Sequence, residues 1–279
     1  MRTLRVQNNL MPSSQSAAPL ALTIAGLDPS GGAGVIADVR TFAAFGCSPA
    51  AAITSITFQN DRELFGAEHL SADTIRGQVM AIVSRGAVAC AKTGMLPTRN
   101  IVREVARLFR ETNLPAPVVD PVIRSTSGYA LIEDDALEDL LEELLPLARL
   151  VTPNIPEAER IIERRIDDVE GMRAAAKAIR VLGARSVLIK GGHLWDQEAG
   201  GSRQTAGQAE AIDVLDDNGC VTVLRGEWIA GANLRGTGCM LSAAIAACLG
   251  KGMTLEDSVS QAKTFVAKAI KLSSTDFSL

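Results

Sequence analysis

The chain has no C-x-x-C pair, no apolar run of membrane length and no cluster of basic residues, and each absence narrows what it can be. Its five cysteines (Cys47, Cys90, Cys220, Cys239, Cys248) are odd in number and widely scattered. That pattern points to neither a disulfide framework nor a zinc site, and it fits a reducing cytoplasm. No segment reaches the roughly 18 consecutive apolar residues of a membrane span, so no membrane partner is expected. The first 19 residues carry two arginines but lack the apolar core of about 7–15 residues that a secretory signal requires. They read as a flexible N-terminal tail, in which Met11 is an alternative start to Met1. A formal charge of -4 without clustered Lys or Arg argues against nucleic acid as a partner, while leaving room for a local anion site. Neither an internal repeat nor an interdomain linker is visible, so residues 20–279 are expected to form a single domain.

What is present is a 47% hydrophobic chain in which short apolar runs alternate with longer segments of helical period. That alternation predicts an α/β fold with a mostly parallel sheet between helices. Strands are expected near 20–26, 51–59, 88–95, 117–122, 149–154 and 186–192, with helices near 32–45, 71–84, 98–112, 134–145, 156–163 and 168–182. Asn218-Gly219 between two alternating segments predicts an antiparallel hairpin at the sheet edge. Two helices follow, near 237–250 and 255–272, the second opening with Thr254 and Asp257 as a capping pair. The small polar stretch 195–210 reads as a mobile surface loop.

Five stretches carry candidate chemistry. In GTGCM, the glycines let the backbone approach a ligand closely, and the helix that starts there offers unpaired N–H groups to an anion. A tight connection with an ordinary buried cysteine is the competing explanation. AGLDPSGGAGVIAD follows the first strand but lacks the spacing of a P-loop or a dinucleotide fingerprint. Its Asp38, one turn beyond Gly34, either points back to the strand ends or is an exposed helix carboxylate. In VTPNIPEAE, Asn154 and Glu157 suit either a hydrated magnesium ion or plain helix capping, and capping is the commoner role. Asp120 and Lys190 each end an apolar strand, which is where open parallel sheets bind ligands.

Read in order, AGLDPSGGAG, Gln59-Asn60, KTGML, DPV with STSG, TPNIPEAE, LIKGGH and GTGC resemble the hydroxymethylpyrimidine and phosphomethylpyrimidine kinases of thiamin biosynthesis, over residues 20 to 272. The resemblance implies a three-layer α-β-α ribokinase-like fold. It also implies transfer of the γ-phosphoryl group of ATP, with Mg²⁺, to 4-amino-5-hydroxymethyl-2-methylpyrimidine and then to its monophosphate. Gly236, Thr237 and Gly238 would bind the migrating phosphoryl group, and Cys239 would face the alcohol as a base whose pKa the helix N-terminus lowers. Gly26, Asp38, Gln59 and Met95 would contact the pyrimidine; Gln59 can pair with an exocyclic amine and the adjacent ring nitrogen. Asp120 and Glu157 would serve the metal, and Asn154 and Lys190 the nucleotide. A homodimer is implied too.

The chain departs from the family's common H-G-T-G-C-T at Arg235 and Met240. Arg235 is either a neutral surface exchange or a cation that grips the phosphate of the nucleotide or of the monophosphorylated pyrimidine. Two other functions remain open from sequence: a pyridoxal kinase of the same superfamily, and a catalytically silent pyrimidine or nucleotide sensor.

Overall fold

The computed structural model describes residues 17–60, 62–125, 128–192, 210–229 and 234–275. All but the last three residues of the expected tail lie outside these, as does the 195–210 loop except Glu210. The strands among them are β1 (Leu20–Leu27), β2 (Ser48–Gln59), β3 (Leu64–His69), β4 (Val88–Thr93), β5 (Val118–Val119), β6 (Leu150–Val151), β7 (Ser186–Lys190), β8 (Glu210–Asp217) and β9 (Cys220–Glu227). They form one sheet in the order β3-β2-β1-β4-β5-β6-β7-β8-β9. From β2 to β7 the pairs are parallel, while β8 and β9 add the expected antiparallel hairpin. Asn218 and Gly219 both take positive φ, 52° and 92°, as a tight two-residue hairpin turn demands.

The helices are α1 (Gly34–Ala44), α2 (Ala72–Val83), α3 (Arg99–Glu111), α4 (Asp134–Asp139), α5 (Ile155–Ile162), α6 (Val169–Val181), α7 (Thr237–Gly250) and α8 (Leu255–Thr275). Beyond α4 the chain continues through a π-helical turn, Leu140–Leu144, and a 3-10 turn, Leu145–Leu147, so the one helix expected over 134–145 is three short pieces. Two buried apolar clusters lie on opposite faces of the sheet. One joins residues of α2 to α6 with Leu22, Ile24, Val119 and Val151; the other joins α1, α7 and α8 with Ala21, Val118 and Leu150. Neighbouring residues such as Ala21 and Leu22 point to opposite faces, as the pleat dictates. The result is three layers.

Two features differ from the expectation. β3 is an additional antiparallel strand on the far edge, paired with the end of β2. Its sequence, LFGAEH, has half its residues exposed or charged because only one face meets the core, so periodicity gives little signal. β5 and β6 are two residues each, far shorter than the apolar runs containing them. Pro117, Pro121 and Pro153 flank them, and a proline cannot donate to the ladder. The remainder of each run becomes loop, which delivers Asp120 and Asn154 to the sheet's carboxyl edge. At α8, Thr254 Oγ1 donates to Asp257 Oδ2 at 2.7 Å and accepts from its backbone N–H at 3.2 Å, the expected cap.

Candidate active site

β1 and β4 are parallel neighbours whose onward connections leave in opposite directions, to β2 on one side and β5 on the other. Diverging connections leave a crevice at the carboxyl ends of such a strand pair. A cavity of about 1150 Å³ opens there. Gly26, Gln59 and Met95 line it near the ends of β1, β2 and β4, Asp120, Lys190 and Gly238 form a charged floor, and Trp228, Val266 and Ile270 line it from the end of β9 and from α8.

Two glycine turns meet at the floor. Gly34 has φ 58°, and a Cβ there would lie 2.2 Å from the Gly26 carbonyl oxygen; Gly236 has φ 74°, and its Cβ would lie 2.0 Å from the Gly32 carbonyl oxygen. Only glycine permits both the left-handed backbone and that approach. Gly236 is the N-cap of α7, and no side chain caps the helix. Its first-turn N–H groups, which no helix satisfies internally, are therefore presented without a capping acceptor. Asp28 fixes the partner turn by accepting from Ser30 N at 2.9 Å, Ser30 Oγ at 2.6 Å and Ala33 N at 3.0 Å.

Charges gather around this junction. Lys190 Nζ donates to Asp120 Oδ1 at 2.9 Å, and a Cβ on Gly238 would stand 3.2 Å from the same nitrogen, so the cation lies against the start of α7. Burial opposes the Asp120 carboxylate, but Lys190 and Lys92 outweigh it and hold its pKa below the usual range. Burial likewise opposes the Lys190 cation, and Asp120 and Glu157 outweigh it. Glu157 is pushed up to about 7 by burial, aided by Asp120 and opposed by Lys190. Burial pushes the Cys239 thiol up to about 11, against the pull of Lys92.

A family model described as phosphomethylpyrimidine kinase matches residues 28–278. The chain belongs to the phosphomethylpyrimidine kinase family. It is 44% identical to a hydroxymethylpyrimidine/phosphomethylpyrimidine kinase of Rhizobium meliloti, over 90% of each chain. Among solved structures, a phosphomethylpyrimidine kinase of Clostridium difficile is 36% identical with a TM-score of 0.76, covering 90% of this chain and 99% of its own. A pyridoxal kinase of Staphylococcus aureus in complex with AMP-PCP is 31% identical with a TM-score of 0.79, covering 92% and 89%.

The ribokinase-like fold of this family brings most of the expected site residues to one cavity. Gly26, Gln59, Met95, Asp120, Asn154, Glu157, Lys190, Arg235, Gly236, Thr237, Gly238 and Cys239 all line it. Met95 packs on Gly26, where a Cβ would meet its sulfur at 3.0 Å. Asn154 and Glu157 form a full capping box at α5, each accepting the other's backbone N–H at 2.8 Å, and still face the cavity; capping and site placement coexist.

Three expectations need correction. Asp38 is fully buried, accepts from Lys92 Nζ at 2.8 Å and from Thr23 Oγ1 at 2.6 Å, and does not line the cavity; it stands behind the wall, not at its surface. Cys239 has a raised pKa, because burial, aided by Asp38 and Asp120, outweighs the nearby Lys92 cation and the Gly34 backbone N–H. Arg235 is not the free surface exchange that one of its two readings offered: it donates from Nη2 to Gln59 Oε1 at 3.0 Å and from Nη1 to the Asn60 carbonyl.

Lys92 was not among the expected residues. It lies in KTGML, where a lone lysine in an apolar strand was the available signal, and it is fully buried. Burial would lower its pKa, but Asp38, Cys239 and Asp120 together raise it. Arg62 and Arg124 at the cavity rim, and the walls from β9 and α8, gave no sequence signal of their own.

Proposed function

We propose that this chain transfers the γ-phosphoryl group of ATP to the hydroxymethyl oxygen of 4-amino-5-hydroxymethyl-2-methylpyrimidine, and then phosphorylates the monophosphate to the pyrophosphate for thiamin biosynthesis. One observation carries the reading: an uncapped helix N-terminus and the Lys190 cation meet at Gly238, on the floor of a cavity large enough for a nucleotide beside a small ring. Phosphoryl transfer asks a protein chiefly for alignment and for donors on the spread negative charge of the migrating group. The amides of Thr237, Gly238 and Cys239 serve as those donors, each worth about 3–4 kcal/mol of barrier where preorganised. Lys190 neutralises the same oxygens. The alcohol oxygen forms a bond to the γ-phosphorus, the bond to the β-bridging oxygen breaks, and ADP leaves.

Cys239, protonated at neutral pH, stands beside the alcohol as a hydrogen-bonding neighbour and not as a resting base. A loose transition state needs little prior deprotonation, so the alcohol proton departs late and passes to an oxygen of the transferred phosphoryl group or to water. Mg²⁺ keeps most of its waters and borrows few protein oxygens, so Asp120 and Glu157, two of the carboxyl groups lining the cavity, would suffice to hold it. Among the described residues no group of three or more His, Cys, Asp or Glu is placed to hold a metal ion. The charge of Mg²⁺ would screen the migrating phosphoryl oxygens. Asn154 holds Glu157 in place and, with Lys190, faces the nucleotide phosphates. Gly26, Gln59 and Met95 receive the pyrimidine: Met95 packs on the ring, and the Gln59 amide pairs with its amine and ring nitrogen. Five free thiols suit a cytoplasmic enzyme, and the family resemblance suits a homodimer.

The test is product mass after incubating the protein with Mg-ATP and, separately, the pyrimidine alcohol, its monophosphate and pyridoxal. Both pyrimidine products are expected. Turnover of pyridoxal alone would instead establish the reading favoured by the Staphylococcus aureus likeness, and turnover of none would leave a sensor.

A further inference from the structure

We propose that Arg235 is a positioning residue that sets the orientation of the Gln59 amide, and so decides which hydrogen-bonding edge of a ring the pocket accepts. The inference rests on the reading that the ring lies against Gln59. One guanidinium spans the pocket mouth to two consecutive residues: Nη2 donates to Gln59 Oε1 at 3.0 Å and Nη1 to the Asn60 carbonyl. An arginine side chain has only donors. The amide oxygen must therefore turn towards Arg235, which leaves the NH₂ turned away from it. Without that cation the two ends of a glutamine amide are nearly equivalent in shape, and either could face the ring.

Both ends of the bridge are anchored. Arg235 precedes Gly236, whose left-handed backbone is locked against the Gly32 carbonyl, and a Cβ on Gly32 would sit 3.6 Å from the Arg235 Cβ. At the other end, Asn60 Oδ1 accepts from Arg62 N at 2.8 Å and Glu63 N at 2.9 Å, which closes the turn between β2 and β3 and fixes where the Asn60 carbonyl points. Gln59 sits at a break in the β2–β3 register, between Phe58 and Gln59, so the strand ladder alone holds its side chain loosely. Arg235 thus ties the ring-reading wall to the residue that opens the phosphoryl loop.

The chemical consequence is selective. A carbonyl oxygen has two lone pairs: one takes Arg235, and the other can accept from an exocyclic amine while Nε2 donates to the adjacent ring nitrogen. A reversed amide would set NH₂ against the amine, donor against donor. A ring without an amine beside a ring nitrogen gains nothing from the fixed orientation.

The test is a double-mutant cycle of Arg235→Met and Gln59→Ala, reading KM and kcat for the aminopyrimidine alcohol, and KM for ATP. Arg235→Met is expected to raise the aminopyrimidine KM about tenfold, the scale of one hydrogen bond to a charged group. The change should fall on that KM and not on the KM for ATP, and should add nothing in the Gln59→Ala background. Arg235→Lys, which keeps one donor, should recover part of the loss, which a packing role would not predict. A rise in the ATP KM alone, multiplicative effects of the two substitutions, or no rescue by lysine would overturn the inference. Were Gln59→Ala itself to leave the aminopyrimidine KM unchanged, the ring placement would fail and take the inference with it. A Gln59→Ala effect beside a silent Arg235→Met would remove the inference alone.

Discussion

Two lysine–carboxylate pairs lie in the same quarter of the molecule, Asp38–Lys92 closing at 2.8 Å and Asp120–Lys190 at 2.9 Å. The first is sealed, with both side chains at 0% exposure. In the second, Lys190 keeps 16% exposure and reaches the cavity floor. Charges taken out of water must be compensated by the groups packed against them, so the sealed pair, although Lys92 abuts the cavity, has little capacity to spare for a ligand. An open pair can trade part of its mutual attraction for an incoming phosphate. Solvent access, not residue type or pair length, therefore separates scaffold from site. Asp38 also shows why a carboxylate near a glycine-rich turn misleads: Thr23 and Lys92 saturate it from within the sheet.

The comparison breaks most sharply at the sealed pair. Lys92→Met leaves Asp38 buried and uncompensated, and should cost about 3–5 kcal/mol of stability by urea unfolding; a loss under about 1 kcal/mol would show that water reaches the pair after all. Lys190→Met should cut kcat by about 10²–10³, the scale of removing one stabiliser of transition-state charge. The activity loss should exceed any loss of stability, and the reverse ranking would make both pairs structural.

Glu157 sharpens the contrast through pH. Its folded pKa is raised from 4.5 to about 7, so the native chain holds this proton more tightly than the unfolded chain. The stability it contributes is full below about 4.5 and is lost as pH rises through about 7. The nucleotide-free protein should accordingly lose more of its urea midpoint between pH 5 and pH 8 than Glu157→Gln does. Parallel curves for the two proteins would contradict the raised pKa. The smallest effect is expected at Cys239: because the thiol is protonated at rest, Cys239→Ser should retain kcat within about tenfold, where loss of a true general base costs about 10²–10⁴.

The sheet, its two helical layers and the β8–β9 hairpin were legible because burial on a pleated or helical surface imposes a period, and Asn218-Gly219 supplies the turn backbone. β3 was not, since an edge strand with one solvated face owes its pairing to β2. Asp120, Lys190 and the Gly236–Cys239 loop were legible from their place at strand and helix ends. Lys92 was hidden because a single lysine in an apolar strand does not reveal whether it faces solvent, a ligand or a carboxylate from α1. The direction of Cys239's pKa is not legible in the sequence, because a helix terminus is a local feature while desolvation is set by everything packed around the thiol.

By itself the sequence determined which segments bury which faces, and which glycines mark turns no other residue can make, because periodicity and backbone freedom are properties of short stretches of chain. Only the tertiary structure decided which charges are shut away and which are offered, and that Arg235 meets Gln59 across 175 intervening positions. Desolvation and long-range hydrogen bonds depend on every neighbour at once, and no window of sequence contains them.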